Sequence, residues 1–227
     1  MSEILKSALP EHQAVHRRVA DGIIADLRPV RRLWPISLRL MVWAIIEVAV
    51  LLYVVRHTHR TDLALQLTNP WYLLILAGFM LAGVIGAAFA LRSAVPGRGP
   101  RAMETALIVV VASGSALLLL HEPFRGNVPL TGFIETGLPC AFGILIFAAV
   151  PWIALLWAVR RGAPLSAGLD GALIGSAAFF SSFALMRVNC PIDERSHLLV
   201  WHFLPAVAGI ALSAWAGIFL LRRRNRR

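Results

Sequence analysis

The sequence predicts an all-α integral membrane protein, a six-transmembrane-helix bundle with a short cytoplasmic N-terminal amphipathic segment. Three observations carry that prediction. Of 227 residues, 58% are hydrophobic and only 15% charged, against about a quarter charged in a soluble domain, and mean hydropathy is +0.72. Six apolar runs each approach the roughly 20 residues that a helix needs to cross a bilayer. The runs repeat Leu, Ile, Val and Ala without the period-2 alternation of a barrel strand.

Taken in order, residues 1–35 form the cytoplasmic N-terminal segment. It lacks a short apolar core followed by a small-residue cleavage site, so no cleaved signal peptide is expected. Val15, Val19, Ile23, Ile24 and Leu27 fall near the i, i+4 spacing of one helix face, opposite His16, Arg17, Arg18 and Asp21. Pro29 disfavours helix at the residue before it and ends the stripe. So short an amphipathic helix cannot bury its stripe alone; it must lie on the membrane, on the bundle or in a partner. Residues 36–221 form the transmembrane domain, with spans at Ile36–Val55, Trp71–Leu91, Ala102–Leu120, Gly137–Val159, Leu165–Val188 and Leu198–Leu221. The third is the weakest, because Glu104 must be included to reach full length. Short connections make neighbouring helices antiparallel. Residues 222–227, Arg-Arg-Arg-Asn-Arg-Arg, form a basic cytoplasmic tail that anchors the last helix to anionic lipid. No direct nucleic-acid contact is expected of it.

Orientation follows the positive charges. Of the 22 Lys and Arg residues, 17 fall on the side of the N-terminus and 5 on the other, where Asp62, Glu122, Glu135, Asp193 and Glu194 balance them. Both termini are therefore expected in the cytoplasm of a bacterial inner membrane. Trp34, Trp71, Trp157 and Trp201 lie near the predicted interfaces.

Cys140 and Cys190 are the most informative pair. Cys140 is expected at the outer start of the fourth helix and Cys190 just past the outer end of the fifth. Counted back from the cytoplasmic turn at Gly162, the two sites differ in height by roughly 9 Å at 1.5 Å per residue. A turn at Asn189-Cys190-Pro191 could close that gap. Two readings stand: a pair that meets at a disulfide-permissive face, or two buried small apolar side chains. Five of the seven histidines, His57, His59, His121, His197 and His202, also fall on the outer side. Beside Cys190, the residues Asp193, His197 and His202 could complete a site for a soft or borderline divalent ion or tune the thiol. No CxxC, HxxxH or HExxH spacing supports this, and interfacial histidines in a polar loop are the simpler reading.

Glu47 and Asp170 lie within apolar runs and must face the bundle interior. An ion path and a packing hydrogen bond are the two uses open to them, and the lack of a membrane-embedded Lys or Arg favours the second. Gly171 and Gly175, spaced as GxxxG, offer a close-packing face. No nucleophile triad, phosphate-cradling loop or nucleotide motif is present, so no catalytic residue, enzyme activity or small-molecule substrate is expected. A membrane thiol oxidoreductase and a small transporter are the competing classes. One lacks a CxxC pair; the other lacks a broken-helix pattern.

Several ordered segments carry a resemblance. They are Asp26-Leu27-Arg28-Pro29-Val30-Arg31-Arg32-Leu33 before the first span, Ser93-Ala94-Val95-Pro96-Gly97-Arg98 after the second, and Pro139-Cys140 at the fourth. Arg160-Arg161-Gly162-Ala163-Pro164-Leu165, then Cys190-Pro191 with Asp193 and Trp201-His202, complete the set. Together they make the chain similar to the NrsF-type membrane anti-sigma factors. That resemblance implies a negative regulator of an extracytoplasmic-function sigma factor, bound through the N-terminal segment by Ile23, Asp26, Leu27, Arg28, Arg31 and Arg32. It implies that Cys140 and Cys190 sense oxidative or heavy-metal stress. No resident cofactor is expected, a thiol-binding divalent metal entering only as the signal.

Overall fold

The computed structural model describes residues 19, 21–22, 33–95, 97, 102–123 and 130–221. Ahead of Trp34, which opens the second of two compact units, Val19, Asp21 and Gly22 are helical and exposed. The predicted sigma-binding residues Ile23, Asp26, Leu27, Arg28, Arg31 and Arg32 and the basic tail 222–227 lie outside the described residues.

From Trp34 onward the described chain is helical and contains no strand. Six helices are long and apolar enough to cross a membrane: α1 Ile36–His57, α2 Pro70–Ser93, α3 Ala102–His121, α4 Leu130–Arg160, α5 Ala167–Asn189 and α6 Arg195–Leu220. Their starts follow local chemistry. Asn69 caps α2 by accepting a hydrogen bond from the Trp71 amide at 3.0 Å, and Pro70 occupies the first turn, where its missing N–H costs nothing. Helix α4 has 31 residues and begins seven residues before the predicted Gly137. Its extra turns carry Thr131, Gly132, Glu135 and Thr136, which break the apolar run yet remain compatible with an exposed helix. Cys140 consequently lies about three turns into α4 rather than at its start.

Helix α5 is the centre of the unit: 83% of its apolar window is buried, and it packs against α2, α4 and α6. Small residues allow this. A Cβ on Gly171 would sit 2.4 Å from the Ser213 carbonyl oxygen and 3.0 Å from the Gly217 Cα, so α5 and α6 touch nearly backbone to backbone, the contact that GxxxG spacing promotes. Ser213 bridges three helices there, its hydroxyl donating to the Gly171 carbonyl at 2.6 Å and accepting from Trp152 Nε1 at 2.7 Å. The aromatic core sets Phe79 of α2 against Phe183 of α5, with ring centroids 4.0 Å apart. Outward faces are apolar instead of charged: Ile45, Val48 and Leu52 on α1, Ile146, Val150 and Ile153 on α4, and Leu212, Trp215 and Phe219 on α6 are all exposed. Continuous exposed apolar surface of this kind matches a lipid environment.

The interior carboxylates are engaged. Glu47 accepts from the Ser181 hydroxyl at 2.7 Å, joining α1 to α5, and Asp170 accepts from the Ser166 amide at 3.2 Å. Trp34, Trp71 and Trp157 are exposed, whereas Trp201, expected at an interface, is half-buried against α4.

Candidate functional site

Four donor side chains converge at the end of the bundle where α5 finishes and α6 begins. Cys140 comes from α4, Cys190 caps the C-terminus of α5 in an extended conformation, and His197 and His202 come from α6. One ligand-capable atom from each lies within 4.8 Å of all the others. The two sulfurs are 3.5 Å apart, and Cys190 Sγ is 3.5 Å from His197 Nε2. Relative exposures are 6% for Cys140, 4% for Cys190, 2% for His197 and 0% for His202.

The height difference expected between the cysteines shrinks for a simple reason. Residues 161–166 form an irregular turn that does not climb, so α5 starts its rise later and the offset falls to about 4.5 Å. The extended backbone at Cys190 absorbs what remains.

The histidines meet because α6 is not a plain α-helix at its start. Residues Leu198–Phe203 form a π-helical turn. At 3.6 residues per turn, side chains five apart point roughly 140° away from each other; an i→i+5 turn stacks them on one face. The rings of His197 and His202 accordingly sit 5.2 Å apart, edge to face. Trp201 in the same turn lies directly over Gly137 of α4, where an added Cβ would come within 2.2 Å of the indole. Only glycine permits that seat.

Asp193 does not join the cluster. Its carboxylate turns to Arg60, 2.9 Å from Nη1, and to Arg187 Nη1. The metal-ligand or thiol-tuning role predicted for Asp193 is corrected to that of an anchor. Arg60 also binds Asp62 at 2.6 Å, and Arg187 binds Glu122 at 2.8 Å. Both arginine side chains are 1% exposed, and Tyr72 donates to the Arg187 carbonyl at 2.8 Å. Three loops are thus tied together, with the Cys190–Arg195 segment held in the middle. Arg195 extends the tie, its amide donating to the Pro123 carbonyl at 2.9 Å, while Glu194 caps the first turn of α6 by accepting from the Ser196 and His197 amides.

Burial works against the Arg60 charge, yet hydrogen bonds to Asp193 and Asp62 raise its pKa further. The same contact from Arg60 holds Asp62 down at about 2. The Cys140 S–H that donates to the Cys190 sulfur lowers the Cys190 pKa against the opposing effect of burial, and the two imidazoles facing it lower it further. The Cys140 sulfur lies 3.5 Å from it, the neighbour closest in kind.

Of the other histidines expected on the outer side, His57 packs on Tyr53 and His121 stacks on Trp71. Arg60, Asp62, Glu122 and Arg187 were not foreseen as a unit. The signal available was the equal number of acids and arginines in the outer segments.

The fold and site define a class first: a bundle of six membrane-length helices that brings two thiols and two imidazoles together in its interior. The family model of negative regulator of sigma F, NrsF, matches residues 23–222, and the chain belongs to that family. It is similar to the anti-sigma-F factor NrsF of Caulobacter vibrioides, 34% identical over 84 residues that span 37% of this chain and 39% of that relative. No solved structure matches the chain.

Proposed function

We propose that this chain is an inner-membrane anti-sigma factor that holds an extracytoplasmic-function sigma factor and releases it when Cys140 and Cys190 are oxidised or captured by a thiol-seeking metal. Family membership supports the sigma-factor partner, and the 17-to-5 distribution of 22 basic residues supports cytoplasmic termini. The observation that carries the sensing step is the buried pair of sulfurs 3.5 Å apart. Residues Ile23 and Leu27 supply apolar contact to the partner, while Asp26, Arg28, Arg31 and Arg32 set orientation.

Cys190 thiolate attacks one oxygen of a peroxide; the O–O bond breaks, the departing oxygen takes up the proton that Cys190 gave up and leaves as an alcohol or water, and a sulfenic acid remains. Cys140 attacks that sulfur, its thiol proton leaves with the hydroxide as water, and the disulfide forms. Two thiols have supplied the two electrons that reduce the peroxide. An S–S bond is about 2.05 Å, so the sulfurs close by only about 1.5 Å. Oxidation therefore does not need to reel two distant helix ends together. What it changes is local: Cys190 turns from His197 to Cys140, and the end of α5 is fixed covalently to α4. In the chain-entropy model, closing the 50-residue loop is worth at most about 4 kcal/mol. A shift of about 3 kcal/mol already alters a binding constant more than a hundredfold.

The test is co-purification. Full-length chain should retain the sigma factor under reducing conditions and lose it on peroxide treatment. Removal of residues 1–33 should abolish capture, and Cys140→Ser or Cys190→Ser should preserve capture but block release. Capture by the truncated chain would move the binding surface elsewhere, and release from the double-serine variant would remove the cysteines from the mechanism.

A further inference from the structure

We propose that Cys140, Cys190, His197 and His202 form a closed, tetrahedral binding site for one zinc-class divalent ion, open to that ion only while the thiols are reduced. The binding step stands apart from sigma-factor capture; only its link to release rests on the reading above.

Four observations lead there. Geometry comes first. Zinc bonds of about 2.3 Å to sulfur and 2.0–2.1 Å to nitrogen place tetrahedral ligand atoms roughly 3.3–3.8 Å apart. The Cys140–Cys190 and Cys190–His197 edges of the cluster are both 3.5 Å, and none exceeds 4.8 Å, so small side-chain rotations complete the shell. Second, His202 is fully buried, and its ring nitrogens have no well-formed hydrogen bond; the polar atom that faces the ring is the Cys190 sulfur. A metal bond to one nitrogen gives that buried ring the strong polar partner its surroundings do not supply.

Third, the charges cancel. Two thiolates, two neutral imidazoles and a divalent cation sum to zero, which suits a site shielded on all sides. The nearby carboxylates of Asp193, Asp62 and Glu122 are committed to Arg60 and Arg187. The donor set is thus sulfur and nitrogen alone, which selects zinc-like ions over magnesium or calcium. Fourth, the backbone is arranged for it. The rare π turn makes His197 and His202 neighbours, and the arginine–carboxylate network and the Glu194 cap fix the loop that brings Cys190 to them. With four protein ligands the site has no open position, the mark of a structural rather than a catalytic ion.

One consequence follows. The same two sulfurs cannot hold an ion and bond to each other, so metal and disulfide are alternative occupants. A bound ion shields the thiols, and oxidation expels it.

The experiment uses full-length protein, purified reduced in detergent and titrated with cobalt(II). Expected are one equivalent bound per chain, intense visible absorption of tetrahedral cobalt, thiolate-to-cobalt charge transfer in the near ultraviolet, and displacement by zinc. Cys190→Ser should lower the charge-transfer band by about half, in proportion to the thiolates that remain. His202→Ala should weaken binding by more than about 100-fold, since loss of an outer-shell partner alone costs 10–100-fold. His202→Cys should restore tetrahedral binding with a stronger charge-transfer band, which separates ligand loss from misfolding. Peroxide treatment before titration should abolish the signal. Weak octahedral absorption, an unchanged spectrum in a Cys140→Ser, Cys190→Ser double variant, or wild-type affinity in His202→Ala would each overturn the site. None of these readouts requires a sigma factor, so failure of the metal site and failure of the anti-sigma reading are told apart.

Discussion

Replacing Asp193 with Asn removes the one carboxylate shared by two buried guanidinium groups. Arg60 and Arg187 have side chains 1% exposed, so water cannot take over the lost bonds. Removing one partner of a buried ion pair costs 3–5 kcal/mol. Because Arg60 keeps Asp62 and Arg187 keeps Glu122, the lower end applies, about 3 kcal/mol. The cost falls on the loop that carries Cys190, which the network ties down at Pro191 and Asp193. If the loop opens as a local unit, its open population rises about a hundredfold, at 1.4 kcal/mol per decade. The assay is alkylation of Cys190 by a small thiol reagent in a Cys140→Ser background, where a single sulfur reports. Asp193→Asn should speed alkylation by about two orders of magnitude and lower the thermal midpoint by roughly 6–12 °C, at 2–4 °C per kcal/mol. A rate within threefold of the parent, at an unchanged midpoint, would refute the view that Asp193 anchors this loop.

Asp62 titrates at about 2 because Arg60 donates to it, so its folded pKa lies below the unfolded 3.9. Its contribution is present above pH 4 and lost as pH falls toward 2; the thermal advantage of wild type over Asp62→Asn should vanish across that window and stay flat from pH 5 to 8. Gly137→Ala puts a methyl group inside the Trp201 indole. Overpacking costs about 1–3 kcal/mol, and cobalt titration should show affinity falling along with the midpoint, because Trp201 and His202 share one turn. Glu47→Gln keeps an acceptor for the Ser181 hydroxyl, whereas Glu47→Leu removes the tie between α1 and α5 but leaves that hydroxyl the Ala177 and Ala178 carbonyls; thermal melts should place Glu47→Leu below Glu47→Gln by no more than about 1.5 kcal/mol, the worth of one hydrogen bond.

The six spans were legible because membrane length is a property of one run of residues, read without knowing its neighbours. The start of α4 was not, since Thr131, Gly132 and Glu135 interrupt the apolar run without interrupting the helix. Cys140 and Cys190 stood out by position, although the height count assumed that α5 begins to climb at once. His197 and His202 were visible as residues but not as a pair, because five-residue spacing puts side chains on one face only in a π turn. Asp193 was drawn to Cys190 by closeness in sequence, while its real partner Arg60 lies 133 residues away. Pairings over such distances leave no local pattern to read.

The π turn has a meaning in terms of counting. Below it, the inward face of α6 runs through His202, Ala206, Gly209, Ser213 and Gly217, the register that seats the helix on α5. Leu198, four residues before His202, continues that face, and His197 would fall a full 100° to one side of it. A π turn is an α-turn with one residue too many, and that surplus residue absorbs the angle. The helix therefore keeps two phases in one rod, one that docks with α5 and one that aims His197 inward. What couples them is the number of residues between the two histidines, a quantity that substitution cannot alter and that a single insertion or deletion changes at once.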